Sequence, residues 1–292
     1  MKVYHNSFYA MGSRLNAVFP YDDDELCERL FNSIRKEVDR IERKLSYFDP
    51  QSDIAKINNR ENDNLHIDLE LFDIFKTALQ YHEITLGAFD ITMRPVYENI
   101  ESINEGAVYS QVNNIVLNEE LSTITFSNEN AKVDFGGYGK GYALEKIKNV
   151  LELSPLKNAF ISFGESSVTV KGRHPLGTNW QIAIKDLFNH QIPLHKINLL
   201  NNSVSTSSNY YVDDAGVLVE KLHVINPFTC KAVNEVFTVS VISESPLQAE
   251  ILSTAFLVLS NNEIEEAVKR IGNIEVVKIE YHDKTPVHTI FK

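Results

Sequence analysis

The sequence predicts an α+β protein in which mixed or antiparallel sheets carry packed helices. Two observations point there. Apolar residues recur at helical spacing in a few separated stretches. Short β-prone runs lie between them without the strict strand–helix alternation of a parallel α/β sheet. The chain shows no Pro/Gly-rich linker, low-complexity tract or internal repeat, so residues 1–292 are expected to form one domain with no internal boundary assignable.

Taken in order, residues 2–10 and 14–19 read as two strands joined at Met11-Gly12-Ser13. Asp22 to Asp24 cap a long helix with apolar positions at Leu26, Leu30, Ile34, Val38, Ile41 and Leu45. Pro50 stops it after Ser46-Tyr47-Phe48-Asp49. Ser52 caps a short turn leading to Ile57-Asn58. A second helix starts near Asp68, turns Leu71, Phe72, Phe75 and Leu79 inward, and stops before Gly87. Residues 111–126 alternate as a hairpin. Ala131 to Phe135 reads as a strand that breaks into a glycine turn and then a helix with Ala143, Ile147, Val150 and Leu151. Strands are expected at 158–163, 180–184, 217–225 and 237–242. Ser245-Pro246 opens a helix over 246–259. A helix at 264–271 and a strand at 274–280 close the chain.

Composition narrows the function classes. The apolar fraction of 43% and charged fraction of 23% are those of an ordinary globular protein. A net charge of −12 without a long Lys/Arg run argues against a nucleic-acid partner. Two cysteines, Cys27 and Cys230, make neither a disulfide framework nor a metal cluster. No apolar run is long enough to span a membrane. Met1 to Asn6 carries no apolar leader and no lipidation cysteine, so as written the chain is expected to stay in the cytoplasm.

The chemistry concentrates at Val133-Asp134-Phe135-Gly136-Gly137-Tyr138-Gly139-Lys140-Gly141. Glycines at a strand-to-helix turn allow positive φ and close approach of another group. The helix N–H groups with Lys140 beside them suit an anion such as a pyrophosphate. The pattern is neither a P-loop nor a Rossmann fingerprint, and a tight packed turn is the competing reading. Glu250 and Thr254 share a helix face at i and i+4. They offer hard oxygens for Mg²⁺ or Ca²⁺, unless Thr254 simply bonds back to the Glu250 carbonyl. His223 is a candidate base or a hydrogen-bonded structural histidine. The Ser205–Ser208 hydroxyls suit phosphate oxygens or loop backbone groups. Asp90 is placed to pair with Arg94.

Read together, the motifs fall in a recognisable succession. Met11-Gly12-Ser13, Ser46 through Asn58, Gly87-Ala88-Phe89-Asp90-Ile91-Thr92 and Asp134 through Ala143 come first. Trp180, Ser205-Thr206-Ser207, His223-Val224-Ile225-Asn226-Pro227 and Ala249-Glu250 with Thr254 follow. This order, over nearly the whole chain, resembles the ApbE family of FAD:protein FMN transferases. The resemblance implies a monomeric α+β flavin transferase of T-fold-like architecture. Such a protein takes FAD as substrate with Mg²⁺, cleaves the diphosphate and attaches FMN by a phosphoester to a threonine of an acceptor protein. It further implies FAD contacts at Met11, Phe48, Ala88, Phe89, Asp90, Asp134, Lys140, Thr206, Ser207 and Val224. The metal would be held by Glu250, Thr254 and the Gly137 carbonyl, with His223 as base for the acceptor hydroxyl.

Several positions depart from the family pattern. Glu250 stands where Asp is usual. Gly164-Glu165-Ser166 replaces Gly-Gly-Asp, Thr206-Ser207-Ser208 replaces Thr-Ser-Gly, and Asn226-Pro227-Phe228-Thr229-Cys230 replaces Asp-Pro-x-Thr-Gly. The alternative these favour is a divergent FAD-binding protein, or an FAD pyrophosphatase yielding FMN and AMP.

Overall fold

A computed structural model describes residues 2–99, 109–189, 192–213, 217–220, 224–233 and 235–292. The chain begins with β1 (Tyr4–Ala10), β2 (Ser13–Phe19), α1 (Asp24–Leu45), α2 (Asp53–Asn58), β3 (Asn64–His66), α3 (Leu69–Ile84) and α4 (Arg94–Glu98). It continues through β4 (Ile115–Asn118), β5 (Thr123–Phe126), α5 (Gly139–Glu152), β6 (Ala159–Phe163), β7 (Ser167–Lys171), β8 (Trp180–Lys185) and β9 (Pro193–Leu199). Then come β10 (Ser203–Ser208), β11 (Tyr210–Val212), β12 (Leu218–Glu220), β13 (Ile225–Asn226) and β14 (Lys231–Ala232). The last elements are β15 (Phe237–Ser243), α6 (Pro246–Ala255), α7 (Asn261–Ile271), β16 (Glu275–His282) and β17 (Thr285–Phe291). The class is α+β, as the sequence predicts, and every strand pair among the described residues is antiparallel.

The chain forms two compact units. The first comprises residues 1–41, 137–221 and 234–292, and the second residues 42–136 and 222–233.

The first unit is built on an eight-stranded sheet in the order β1-β2-β6-β7-β10-β15-β16-β17. Alternation along β7 and β10 sets its two faces. Val168, Val170 and Val204 pack with Trp180, Ile184, Ile197 and Leu199 of the β8–β9 hairpin. Ser167, Thr169, Ser203 and Ser205 point to the opposite face, against α5 and α6. Central strand β10 escapes sequence reading because serine is a poor strand former. Its hydroxyls are paired within the sheet instead, Ser203 donating to Thr169 at 2.9 Å and Thr206 lying 2.8 Å from Ser240. Ser245 caps α6 by accepting from Gln248 N, with Pro246 in the first turn, as expected. The helix ends at Ala255, short of the expected 259.

In the second unit α3 starts at its Asp68 cap and buries Leu71, Phe72, Ile74, Phe75 and Ala78, while Leu79 is only half-buried. Buried Lys44 pairs with Asp68 and reaches Glu70 at 3.5 Å. Ala131 to Phe135 is not a strand, contrary to its apolar pattern. Side chains take up its backbone groups in place of a neighbouring strand. Asn58 accepts from Val133 N and donates to Val133 O, both at 2.8 Å, and Arg60 donates to the Ala131 carbonyl at 2.8 Å.

The positions at which the resemblance expects glycine are met in different ways. Ser208 sits in regular β10 and donates to Tyr210 O at 2.8 Å. Glu165 and Cys230 take left-handed backbone at φ 60° and φ 56°. Such a conformation costs a residue with a Cβ about 1–2 kcal/mol. Glu165 is exposed, so Glu165→Gly should raise unfolding stability by about 0.5–1 kcal/mol, since glycine's looser unfolded chain offsets part of the relief. Urea denaturation checks this, and a less stable variant would mean that Glu165 is not strained.

Candidate functional site

In the first unit the glycine-rich segment feeds α5, whose first residues are Gly139, Lys140 and Gly141. Close approach, rather than positive φ, explains Gly141: it lies within the helix, and a Cβ there would stand 2.5 Å from Glu250 Cβ and 2.9 Å from the Pro246 carbonyl oxygen. The contact of α5 with α6 puts Lys140 Nζ 2.6 Å from Glu250 Oε1. Met11, in its left-handed turn at φ 48°, places its sulfur 3.9 Å from where a Cβ on Gly139 would be.

Glu250 is 4% exposed. Its Oε2 accepts from Ser167 and, at 2.9 Å, from Ser205. The hydroxyl chain continues, Ser253 donating to Ser205 at 3.2 Å and Ser207 lying 2.9 Å from Ser253. Burial alone would push the Glu250 carboxyl up. The Lys140 charge and the hydrogen bonds from Lys140, Ser167 and Ser205 outweigh it and hold the group below the usual carboxylate range. Thr254 donates to the Glu250 carbonyl at 3.1 Å, the bond-back geometry open in the sequence. Ser207 turns toward α6, whereas Thr206 turns to the other face.

Carboxylate and hydroxyl oxygens are the donor chemistry Mg²⁺ prefers, but in this arrangement they do not fit the ion. Three of the roughly four acceptor positions of the Glu250 carboxylate are filled, and the nearest cation is already Lys140. Unit charges ~4 Å apart interact by about 4 kcal/mol near a protein surface, so a dication sharing Glu250 with the ammonium meets about twice that in repulsion. Among the described residues no group of three or more His, Cys, Asp or Glu side chains could hold a metal.

In the second unit Ala88 and Phe89 are buried at the turn that follows α3. Thr85 Oγ1 accepts from Phe89 N at 3.0 Å, and His82 Nδ1 donates to the Phe89 carbonyl at 2.8 Å. Asp90 Oδ1 accepts from Thr92 N at 2.7 Å and Thr92 Oγ1 at 2.6 Å. Its Oδ2 is buried and takes no hydrogen bond among the described residues. An acceptor in that state is suited to a donor brought by a ligand.

Arg94 does not pair with Asp90 as the sequence suggested. Its guanidinium meets Glu98 at 3.0 Å and Asp134 at 3.6 Å, and it lies over the rings of Tyr47, Phe48 and Tyr97 at 4.8–5.0 Å. Phe48 is 76% exposed. Asp134 N donates to the Ile91 carbonyl at 2.7 Å, and Gly136 N donates to Asp134 Oδ1 at 2.9 Å. Burial raises the Asp134 carboxyl above the ordinary range, against the lowering influence of Arg94 and the Gly136 N–H. A raised carboxyl costs stability as pH climbs from its unfolded value, about 3.9, through its folded one. Asp134→Asn should therefore melt higher than the parent at pH 7, with the gain vanishing near pH 3. A lower melting point at pH 7 would contradict this.

Asn226 Oδ1 accepts from Phe228 N at 2.9 Å and Thr229 N at 3.2 Å, so it holds its own turn. Val224 is buried and accepts from Val233 N at 3.3 Å. His223 lies outside the described residues, as does part of the strand expected over 217–225. Of the expected residues, Lys140, Glu250, Thr254 and Ser207 come together in the first unit, and Phe48 and Asp134 gather around Arg94 in the second. Sequence reading missed Ser167 as a Glu250 partner and Arg94 as the cation at Asp134. Neither has a local signal, since each meets its partner only through the fold.

The sequence profile described as the ApbE family matches residues 11–278. The chain belongs to the ApbE family. Relatives include the FAD:protein FMN transferase of Escherichia coli strain K12, 24% identical over 90% of this chain and 80% of its own length. That of Haemophilus influenzae is 22% identical over 86% and 78%. Among solved structures, the ApbE protein of Thermotoga maritima superposes with a TM-score of 0.83 at 24% identity, covering 100% of this chain and 97% of that one. Flavin transferase ApbE from Vibrio cholerae gives 0.84 at 19% identity, covering 100% and 97%. The ApbE architecture is thus common to them. None of the helices among the described residues is long and apolar enough to cross a membrane.

Proposed function

We propose that this chain is an FAD:protein FMN transferase, the activity named for its ApbE relatives. In the reaction, the oxygen of an acceptor threonine attacks the FMN-side phosphorus of FAD. The bond to the AMP-side oxygen breaks, AMP leaves, and the threonine proton passes to a base. The observation that carries the reading in the chain itself is Lys140, fixed at the first turn of α5 by buried Glu250 and matched to a diphosphate.

His223 is the proposed base, by its place in the family succession. Phe48, exposed beside Arg94, offers a face for a flavin or adenine ring. The free Oδ2 of Asp90 suits an N–H or O–H donor of a ligand. Met11, Ala88, Phe89, Asp134, Ser207 and Val224 remain proposed contacts by family position, and Thr206 by family position only. Magnesium, which the family resemblance implies, would supply charge neutralisation at a diphosphate, but the oxygens of Glu250 and Thr254 are already engaged by Lys140, Ser167, Ser205 and their own helix. The proposed place of action is the cytoplasm, to be checked by cell fractionation.

The test incubates the protein with FAD and a threonine-bearing acceptor domain. The reading expects an FMN mass on the acceptor and an equal amount of AMP. AMP without modified acceptor would instead make the protein an FAD pyrophosphatase, and neither product would end the reading.

A further inference from the structure

Glu250 carries one methylene more than the Asp usual at its position, and the structure shows where that length goes. It brings the carboxylate to Ser167 on β7, Ser205 on β10 and Lys140 on α5 at once. Ser167, Ser205 and Ser253 are all nearly or fully buried. Such a set fixes an anion in place, and the fixed anion in turn fixes the long, rotamer-rich lysine. Lys140 itself is only partly covered, its side chain 21% exposed against 6% for Glu250, so the ammonium still reaches an incoming ligand. The neighbouring hydroxyl of Thr254 is engaged with its own helix.

We infer that Glu250 is a positioning residue for Lys140 rather than a metal ligand, and that the Lys140 ammonium is the cation that meets the FAD diphosphate, so that FAD binds without magnesium. This inference rests on the flavin-transferase reading and goes beyond it. The cation of the site is written into the sequence, and the carboxylate acts through the lysine.

The experiment uses the full chain and two probes. Mn²⁺ is titrated against the apo protein and followed by electron paramagnetic resonance. FAD binding is followed by calorimetry in EDTA and again in millimolar Mg²⁺. The inference expects no Mn²⁺ site that depends on Glu250 and the same FAD affinity in both buffers. Glu250→Gln and Lys140→Met should each weaken FAD by about 10–100-fold, equally with and without Mg²⁺. A purely structural role for Glu250 would lower the melting temperature of Glu250→Gln and leave its FAD affinity unchanged, which overturns the inference. If Glu250→Gln does not fold, Lys140→Met and the parent titrations still decide. An Mn²⁺ site lost in Glu250→Gln, or FAD affinity that rises at least about tenfold with Mg²⁺, overturns it too. Failure to bind FAD in either buffer overturns the flavin reading itself, while the Mn²⁺ titration still reports on Glu250.

Discussion

Gly141→Ala should destabilise the protein by about 3 kcal/mol, the upper end of the range for overpacking. The new methyl would meet Glu250 Cβ at 2.5 Å, the Pro246 carbonyl oxygen at 2.9 Å and Leu247 Cα at 3.0 Å. Two of these are backbone atoms and none is the far end of a flexible side chain, so α5 and α6 must part. Parting them pulls Lys140 off Glu250, and FAD affinity should fall together with stability. Denaturant unfolding gives the first quantity and calorimetry the second. A variant within about 0.5 kcal/mol of the parent, the ordinary range for surface changes, would mean that the helices separate freely.

The second large effect is on rate. His223→Ala should slow FMN transfer by about 10²–10⁴-fold, the usual worth of general-base help, while FAD affinity stays near that of the parent. The separation matters because the proposed base would act on the acceptor hydroxyl and Lys140 on the diphosphate. Single-turnover transfer at saturating FAD, followed by acceptor mass, measures the first, and calorimetry the second. Loss of FAD binding with unchanged turnover would move His223 from base to binding residue.

Much of the fold was legible because local rules govern its helices. The Ser52, Asp68 and Ser245 caps and the long amphipathic α1 all appear where the spacing put them. The failures share a cause. Serine-rich β10 becomes a central strand through hydroxyl partners on β7, β15 and α6, and Ala131–Phe135 loses strand character to Asn58 and Arg60. In both, side chains distant in sequence decide what the backbone does. The site was legible as residue types in order, but not as chemistry. Glu250 read as a metal ligand from one helix face, and only β7 and β10 reveal the serines that engage it. Glycines in the central turn read as room for positive φ and for close approach, and at Gly141 the structure shows that the approaching group is α6.

The segmented layout of the two units has a kinetic consequence. Strand β2 pairs with β6 through Leu15 and Phe163, so the N-terminal hairpin has α1 beside it, through Phe8 and Phe31, but no further strand until β6 has been synthesised. The second unit is likewise incomplete until residues 222–233 emerge, and the sheet of the first until β15 to β17 follow. At about 5–20 residues per second on the ribosome, that leaves β1 and β2 waiting for several seconds or more. Pairings so distant along the chain close slowly. Folding should therefore finish only once β17 has emerged from the ribosome, with the open edge of β2 the surface most in need of protection during synthesis.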